Sequence, residues 1–305
     1  MSSTPNFRCG TIAILGRPNV GKSTLLNAIL TEKVSIVTPK PQTTRHRILG
    51  IVPGPGYQAI FIDTPGVHQF KRRLNQAMVE AALSAISDAD LALVLVDASD
   101  DADEFNDTHG AGMLVRRAAE LGRPVFVLLN KIDRVRDKKA LLPLMERWAA
   151  FSPAVVAVIP VCAASGNGLP ALLEELAAHL PEGPALYPED DLTDQTERAI
   201  SAEIIRESCI NCLREELPYA TAVTIERFSE TAARRVINAT IWVERDSQKA
   251  IVIGKHGSMI KRIGQTAREQ LIARFGVETQ LFLEVRVRPD WTDDPASLRD
   301  LGYQS

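Results

Sequence analysis

The chain of 305 residues lacks most features that would narrow its function at a glance. Its formal net charge is only -3. There is no overall pull toward polyanions, so any nucleic-acid contact must come from a local basic patch. No apolar run reaches the roughly 18 residues that a membrane-spanning helix needs. The start, MSSTPNFRCGTIAILG, has no basic stretch followed by an apolar one, so no secretory signal is expected. The expectation is a soluble, cytoplasmic protein. Cysteine is scarce: the four are Cys9, Cys162, Cys209 and Cys212. Cys209 and Cys212 have metal or redox spacing, but a single CxxC without a second ligand pair does not make a zinc site. In helical register they share an apolar face with Ile200, Ile204, Ile205 and Leu213, so they are expected to be small buried residues. Internal repeats and low-complexity segments are also missing. Length argues for about two domains, and 45% hydrophobic with 24% charged residues is ordinary for a globular chain.

The first stretch alternates apolar runs with helical patterns. CGTIAILG, YQAIFIDTPG, ADLALVLVDAS, RPVFVLLNKID and AVVAVIPVCAAS read as strands. Near-continuous Ile/Val/Leu strands alternating with helices predict an α/β domain, a mostly parallel sheet covered on both faces, over 1–180. Residues 181–198, rich in Pro and acidic residues, read as a linker. Residues 199–305 begin with a helical pattern at its start, then ATAVTIERF and VINATIWVER as strands, the helix SMIKRIGQTAREQLIARF and the strand QLFLEVRVR. That is a smaller α+β domain.

GRPNVGKS, Gly16 to Ser23, follows the first strand and precedes a helix. It fits G-x-x-x-x-G-K-S/T in the required strand–loop–helix setting. The loop N–H groups and the helix N-terminus would face phosphates. Lys22 would reach the β- and γ-phosphates, and the Ser23 hydroxyl would ligate magnesium. DTPG, Asp63 to Gly66, ends a later strand; Asp63 can hold the metal's coordination shell through water, and the Gly66 N–H can meet the γ-phosphate. NKID, Asn130 to Asp133, ends another strand. A buried Asp133 would accept from N1–H and the 2-amino group of guanine and be left unpaired against adenine. Asn130 would orient the loop and meet N7, and the stem of Lys131 would cover the ring. PKPQTTRHR, 39–47, is the natural place for a mobile threonine ligand to magnesium, with Thr44 the choice and Thr43 the alternative.

At this point the chain closely resembles the Era family of bacterial GTPases. The resemblance rests on GRPNVGKSTLLN, PQTTRHRI, DTPGVH, NKID, AEIIRE, REELPY, IVIGKHGSMIKRIG and DPASLRDLGY, and covers nearly the whole chain. It implies a P-loop GTPase domain followed by a KH domain of the second topological type. It implies a slow, magnesium-dependent GTPase that binds small-subunit (16S) ribosomal RNA near its 3′ end during assembly of the 30S subunit. By motif it assigns Gly16, Arg17, Pro18, Asn19, Val20, Gly21, Lys22, Ser23 and Thr24, then Asp63, Thr64, Pro65, Gly66 and Val67, then Asn130, Lys131, Ile132 and Asp133, to GTP and magnesium. The family's guanine loop resembles Ser-Ala-x; here Cys162 stands at the serine, and the Ala163 N–H could meet guanine O6. Many regulatory GTPases orient water with a glutamine after D-x-x-G; Val67 cannot. His68 is better read as a switch residue than as a base. Asn19 occupies the position where related GTPases help bind potassium, so potassium is a further expected cofactor.

Residues 248–268 carry Lys249, Lys255, Lys261, Arg262 and Arg268 and no Asp or Glu. This basic stripe flanks Gly254, Lys255, His256 and Gly257. A Gly-x-x-Gly loop between two helix ends suits a KH clamp on about four nucleotides. Ile251, Ile253 and Ile260 are expected as groove wall or core, core being the commoner role. The resemblance also implies membrane association, a peripheral contact with the inner face of the cell membrane, and the same basic helix could serve anionic lipid as well as RNA; RNA is preferred because the loop suits a nucleotide backbone. A monomer is expected. Two other classes compete: a GTP-hydrolysing RNA-modification factor, for which residues after 199 offer no extra machinery, and a passive RNA binder, against which Lys22, Ser23, Asp63 and Asp133 argue.

Overall fold

The computed structural model describes residues 7–40, 43–67, 73–100, 104–105, 110–231 and 234–303. His68 lies outside them. The chain forms two compact units, one spanning most of the residues to Asp194, the other Gln195–Ser305 with the short pieces Ile36–Thr43 and Lys71–Ala77.

The first unit is built on a six-stranded sheet in the order β2-β3-β1-β4-β5-β6. Its strands are β1 (Arg8–Gly16), β2 (Ile48–Gly54), β3 (Tyr57–Asp63), β4 (Leu91–Asp97), β5 (Val125–Asn130) and β6 (Val155–Pro160). The helices are α1 (Lys22–Leu30), α2 (Arg73–Asp88), α3 (Gly110–Glu120), α4 (Leu141–Ala149) and α5 (Leu169–His179). Because successive side chains point to opposite faces, each central strand feeds two cores. Ile12, Ile14, Phe61, Leu93 and Phe126 pack with Leu25 and Leu26 of α1 and Leu172 and Leu176 of α5. Ala13, Leu15, Val94 and Val127 pack with Ala85 and Ile86 of α2, Leu114 of α3 and Trp148 of α4.

The five strands read from the sequence are all present, and β2 is an addition. It runs antiparallel to β3, with Ile48 opposite Asp63 and Gly54 opposite Tyr57. The tight turn around Gly54, Pro55 and Gly56 closes a hairpin. Pro53 can sit in this strand because it is at the sheet edge, where no ladder donor is needed.

The second unit contains α6 (Glu197–Cys212), β7 (Ala222–Thr231), β8 (Arg234–Val243), α7 (Asp246–Ile253), α8 (Ser258–Phe275), β9 (Glu278–Val287) and α9 (Pro295–Asp300). β7 is antiparallel to β8 and β8 is parallel to β9. A parallel pair needs a long crossover, which α7 and α8 supply. Ile263, Ala267 and Leu271, four apart on α8, are buried; Lys261, Arg262 and Arg268 are exposed.

Helix α6 carries Cys209 and Cys212 in a core with Ile241, Val243 and Ile263. Burial pushes the Cys209 thiol up to about 12, far from the thiolate that metal binding or redox chemistry needs. The helix is buried on more than the one apolar face expected: Ser201, Arg206, Glu207 and Ser208 are buried too. The serine hydroxyls donate to carbonyls one turn back, Ser201 to Glu197 and Ser208 to Ile204, and Arg206 pairs with Glu203 at 2.6 Å. The two serine hydroxyls are thus satisfied within the helix, which makes their burial tolerable; Glu207 Oε1 accepts from the Val37 N–H at 3.3 Å, and Arg206 Nη1 is buried with no hydrogen-bond partner among the described residues.

Candidate functional site

Asp63, Asp97 and Asn130 all lie at the carboxyl ends of strands next to or near β1, whose own end opens into the phosphate loop. Ligands of open α/β sheets sit at this edge. Gly21 closes the loop with φ 107, and a Cβ there would lie 2.4 Å from Asn130 Nδ2, so only glycine fits. Lys22, buried at the start of α1, donates from Nζ to Gly16 O and Arg17 O, both at 3.0 Å. Burial lowers its pKa to about 8, against the opposing pull of Asp63 and Glu104. Arg17 pairs with the buried carboxylate of Glu104 at 3.5 Å. Asn19 is exposed and Thr24 half-buried on the first turn of α1.

Asp63 is fully buried and gathers hydroxyls on one oxygen. Its Oδ2 accepts from Ser23 Oγ at 2.7 Å, Ser35 Oγ at 2.9 Å and Thr44 Oγ1 at 3.4 Å. Ser23 Oγ and Thr44 Oγ1 also face each other at 2.8 Å. Of the two threonines considered, Thr43 turns the other way, to Thr38 Oγ1 and Lys40 O, each at 2.7 Å. Burial raises the Asp63 pKa, and Lys22 with the hydroxyls of Ser23, Ser35 and Thr44 opposes that rise. Its Oδ1 is buried with no hydrogen-bond partner among the described residues. A buried unpaired carboxylate oxygen beside two facing hydroxyls is an all-oxygen donor set that suits a hard divalent cation, magnesium.

The rest of the DTPG segment packs closely against β1 and the phosphate loop. Thr64 Oγ1 donates to Ile14 O at 2.7 Å, Pro65 is buried, and a Cβ on Gly66 would come within 2.8 Å of the Pro18 backbone. Val67 is buried in the core and its N–H donates to Gly16 O at 3.2 Å. Its side chain is turned away from solvent.

The guanine end is held together by several side chains. Asn130 is a strut: Nδ2 donates to Val20 O at 2.8 Å and Oδ1 accepts from Ala163 N at 3.0 Å. These bonds are the loop-orienting part of what the sequence leads one to expect; Nδ2 carries a second hydrogen beyond the one given to Val20 O. Asp133 is exposed, not buried. The chain turns at Lys131, φ 61, into the 3-10 turn Ile132–Arg134, which carries the carboxylate outward. There Cys162 Sγ donates to Asp133 Oδ1 at 3.1 Å. Lys131 Nζ reaches Asn19 O and Asp97 Oδ2, both at 2.7 Å, fastening the guanine loop to the phosphate loop.

Ser35, Asp97 and Glu104 were not singled out from the sequence. Asp97 had a usable signal: it ends β4, between β1 and β5. Ser35 and Glu104 gave none.

In the second unit α7 ends at Gly254, whose φ of 74 and whose tight approach to Met259, 2.7 Å for an added Cβ, require glycine. Lys255 and His256 follow, both exposed, in a short turn closed by Gly257. Lys249 is half-buried, and Lys261 and Arg262 project from the first turns of α8. Ile251 is 53% exposed, so it is not core; Ile253 and Ile260 pack partly into the core.

Among known proteins, the model of the 50S ribosome-binding GTPase family matches residues 11–131, and the KH-domain model matches 216–292. GTPase Era of Syntrophus aciditrophicus is 46% identical over 300 residues, 97% of this chain and 95% of that one. GTPase Era of Geobacter metallireducens is 47% identical over 307 residues, 99% and 100% of the two chains. The crystal structure of Era in complex with MgGDPNP and nucleotides 1506-1542 of 16S ribosomal RNA is similar at a TM-score of 0.91, with 38% identity over 98% of this chain and 100% of that one. With such likeness end to end, and with phosphate, metal-shell and guanine motifs meeting at one sheet edge, the chain belongs to the Era family of GTPases.

Proposed function

We propose that this chain binds GTP with magnesium at the carboxyl edge of the sheet, hydrolyses it slowly to GDP and phosphate, and uses the nucleotide state to control binding of 16S ribosomal RNA near its 3′ end. The setting is assembly of the 30S subunit. In this reading residues 1–180 are the switch, 181–198 the linker and 199–305 the RNA-binding domain with its tail.

The observation that carries it is the convergence of Ser23, Thr44 and Asp63 beside Lys22, in a chain that also carries an exposed basic Gly-x-x-Gly turn. Ser23 and Thr44 would hold magnesium directly and Asp63 would hold its water shell; the cation supplies neutralisation of phosphate charge. Residues 16–24 would cradle the phosphates, Lys22 leaving its two carbonyl partners for phosphate oxygens. Asp133 would accept from the guanine edge with Cys162 steadying it. Slow turnover follows from Val67, whose buried side chain cannot orient water. Potassium at Asn19 remains part of the reading, and identical turnover in sodium and potassium buffers removes it. Lys249, Gly254, Lys255, His256, Gly257, Lys261 and Arg262 would meet RNA. The related Era of the solved complex holds nucleotides 1506-1542 of 16S ribosomal RNA, which supports this choice of polyanion. Among the described residues no helix is long and apolar enough to cross a membrane; peripheral contact of α8 with anionic lipid is the secondary expectation, tested by vesicle flotation. A monomer is expected, and light scattering checks it.

The test is crosslinking of the protein to total RNA with GTP and then with GDP. Enrichment at the 16S 3′ end that depends on the nucleotide is expected. No enrichment there with either nucleotide sinks the RNA assignment. A Lys22→Ala variant that still supports ribosome assembly would instead favour a passive RNA binder.

A further inference from the structure

The third hydroxyl on Asp63 belongs to Ser35, which lies in the loop after α1 and outside every recognised motif. Its Oγ donates to Asp63 Oδ2 at 2.9 Å, and the residue is wholly buried. The neighbours Val34 and Ile36 are buried as well.

What fixes Ser35 is one side chain. Asn27 Oδ1 accepts from the N–H of Val34 at 3.0 Å and of Ser35 at 2.9 Å. Asn27 Nδ2 donates to Ser35 O at 2.7 Å. A single amide on α1 thus brackets the backbone of Ser35 on both sides. With its backbone clamped and the residue enclosed, the hydroxyl is directed at Asp63. Groups that orient a metal-shell carboxylate are commonly held in this way.

We propose that Ser35 is a positioning residue for the magnesium site, holding the Asp63 carboxylate in the orientation the cation's shell requires, with Asn27 as its anchor. The proposal rests on the assignment of Ser23, Thr44 and Asp63 to the magnesium shell. Ser35 differs from the two ligand hydroxyls in geometry: Ser23 and Thr44 face each other across 2.8 Å, whereas Ser35 reaches the site only through Asp63. Deleting it frees the carboxylate to rotate and leaves every direct ligand in place. Losing such an outer partner typically weakens a metal site about 10–100-fold.

The experiment uses the full chain loaded with a fluorescent GDP analogue. Release is followed across a magnesium titration, and nucleotide affinity is measured separately in excess chelator. For Ser35→Ala the magnesium concentration giving half-maximal protection should rise about 10-fold or more, with chelator affinity unchanged within about twofold. Manganese binding to the GDP complex, read by electron paramagnetic resonance, should weaken in parallel. An unshifted magnesium midpoint overturns the proposal. Equal loss with and without metal also overturns it, because Ser35 would then only support the fold. Should Ser35→Ala not fold, Asn27→Asp is judged by the same two criteria, since it keeps the acceptor for both N–H groups and loses the donor to Ser35 O. Ser23→Ala separates this proposal from the one beneath it. A shift in Ser23→Ala but not in Ser35→Ala defeats only the role of Ser35; no shift in either defeats the magnesium assignment itself.

Discussion

The thiol of Cys162 lies 3.1 Å from Asp133 Oδ1 and donates to the carboxylate that would read guanine. A thiol is a weak donor, so the contact orients Asp133 without drawing much charge from it. Cys162→Ser should bind GTP as well as the parent or better. Cys162→Ala should bind about two- to tenfold more weakly, the worth of one hydrogen bond of about 0.5–1.5 kcal/mol. The loss should fall on GTP more than on ITP, which lacks the 2-amino group. Competition binding checks this, and an equal loss for both nucleotides counts against it.

Asn130 joins Val20 O to Ala163 N. Asn130→Ala leaves both buried backbone groups unpaired, each costing about 1–3 kcal/mol. Both GTP affinity and the thermal midpoint should fall. A variant that loses affinity at an unchanged midpoint by calorimetry would show that Asn130 meets the base and is no strut.

Lys22 sits near neutrality, at about 8, because of its burial. Phosphate bound beside it would restore the charged form, so the bound-state pKa exceeds the free one. The sign follows: the contribution to affinity is complete below about 8 and is lost as pH rises from there through the higher bound value. Titration calorimetry at pH 8.5, in buffers of different ionisation enthalpy, should register proton uptake on GDP binding. Zero uptake would mean that Lys22 is already charged in the free protein.

Val67→Gln places an amide in an apolar core position. Turnover should not rise by more than about twofold, and stability should drop by about 1–3 kcal/mol. A large rate increase at unchanged stability would show that position 67 can turn to the phosphates.

Reversing charge at the turn, with Lys255→Glu and His256→Glu together, should abolish RNA binding and leave GTP binding intact. In the single variant Lys255→Glu, residual binding should show a salt slope shallower by about 0.7, the single-strand value for one phosphate contact. An unchanged slope would move the RNA off this turn.

The phosphate loop, DTPG and NKID were legible because each is local: a fixed spacing next to an apolar strand. Helix α8 was legible for the same reason, though its buried face, Ile263, Ala267 and Leu271, was not singled out from the sequence. What was hidden depends on distant residues meeting. Ser35 has no motif around it, and only folding brings it to Asp63. The exposure of Asp133 comes from the left-handed turn at Lys131, which an NKID pattern does not announce. Strand β2 was obscured because Gly50 and Pro53 interrupt its apolar run; its turn at 54–56 was the available clue. Apolar periodicity could not show that Ser201 and Ser208 are buried on α6, since their hydroxyls bond within the helix itself.

The pairing of Ile48 with Asp63 acts as a leash. Three residues lie between Thr44 and Ile48, so four Cα steps give a reach of about 13 Å of extended chain. Within that radius a departure of Thr44 from Ser23 would need no unfolding of the hairpin. The length of the leash is set by strand register, and slipping β2 by two residues along β3 would move its fixed end by about 7 Å. The hairpin thereby sets an upper limit on how far Thr44 could travel from Ser23 as a magnesium ligand, a mechanical limit written into strand register.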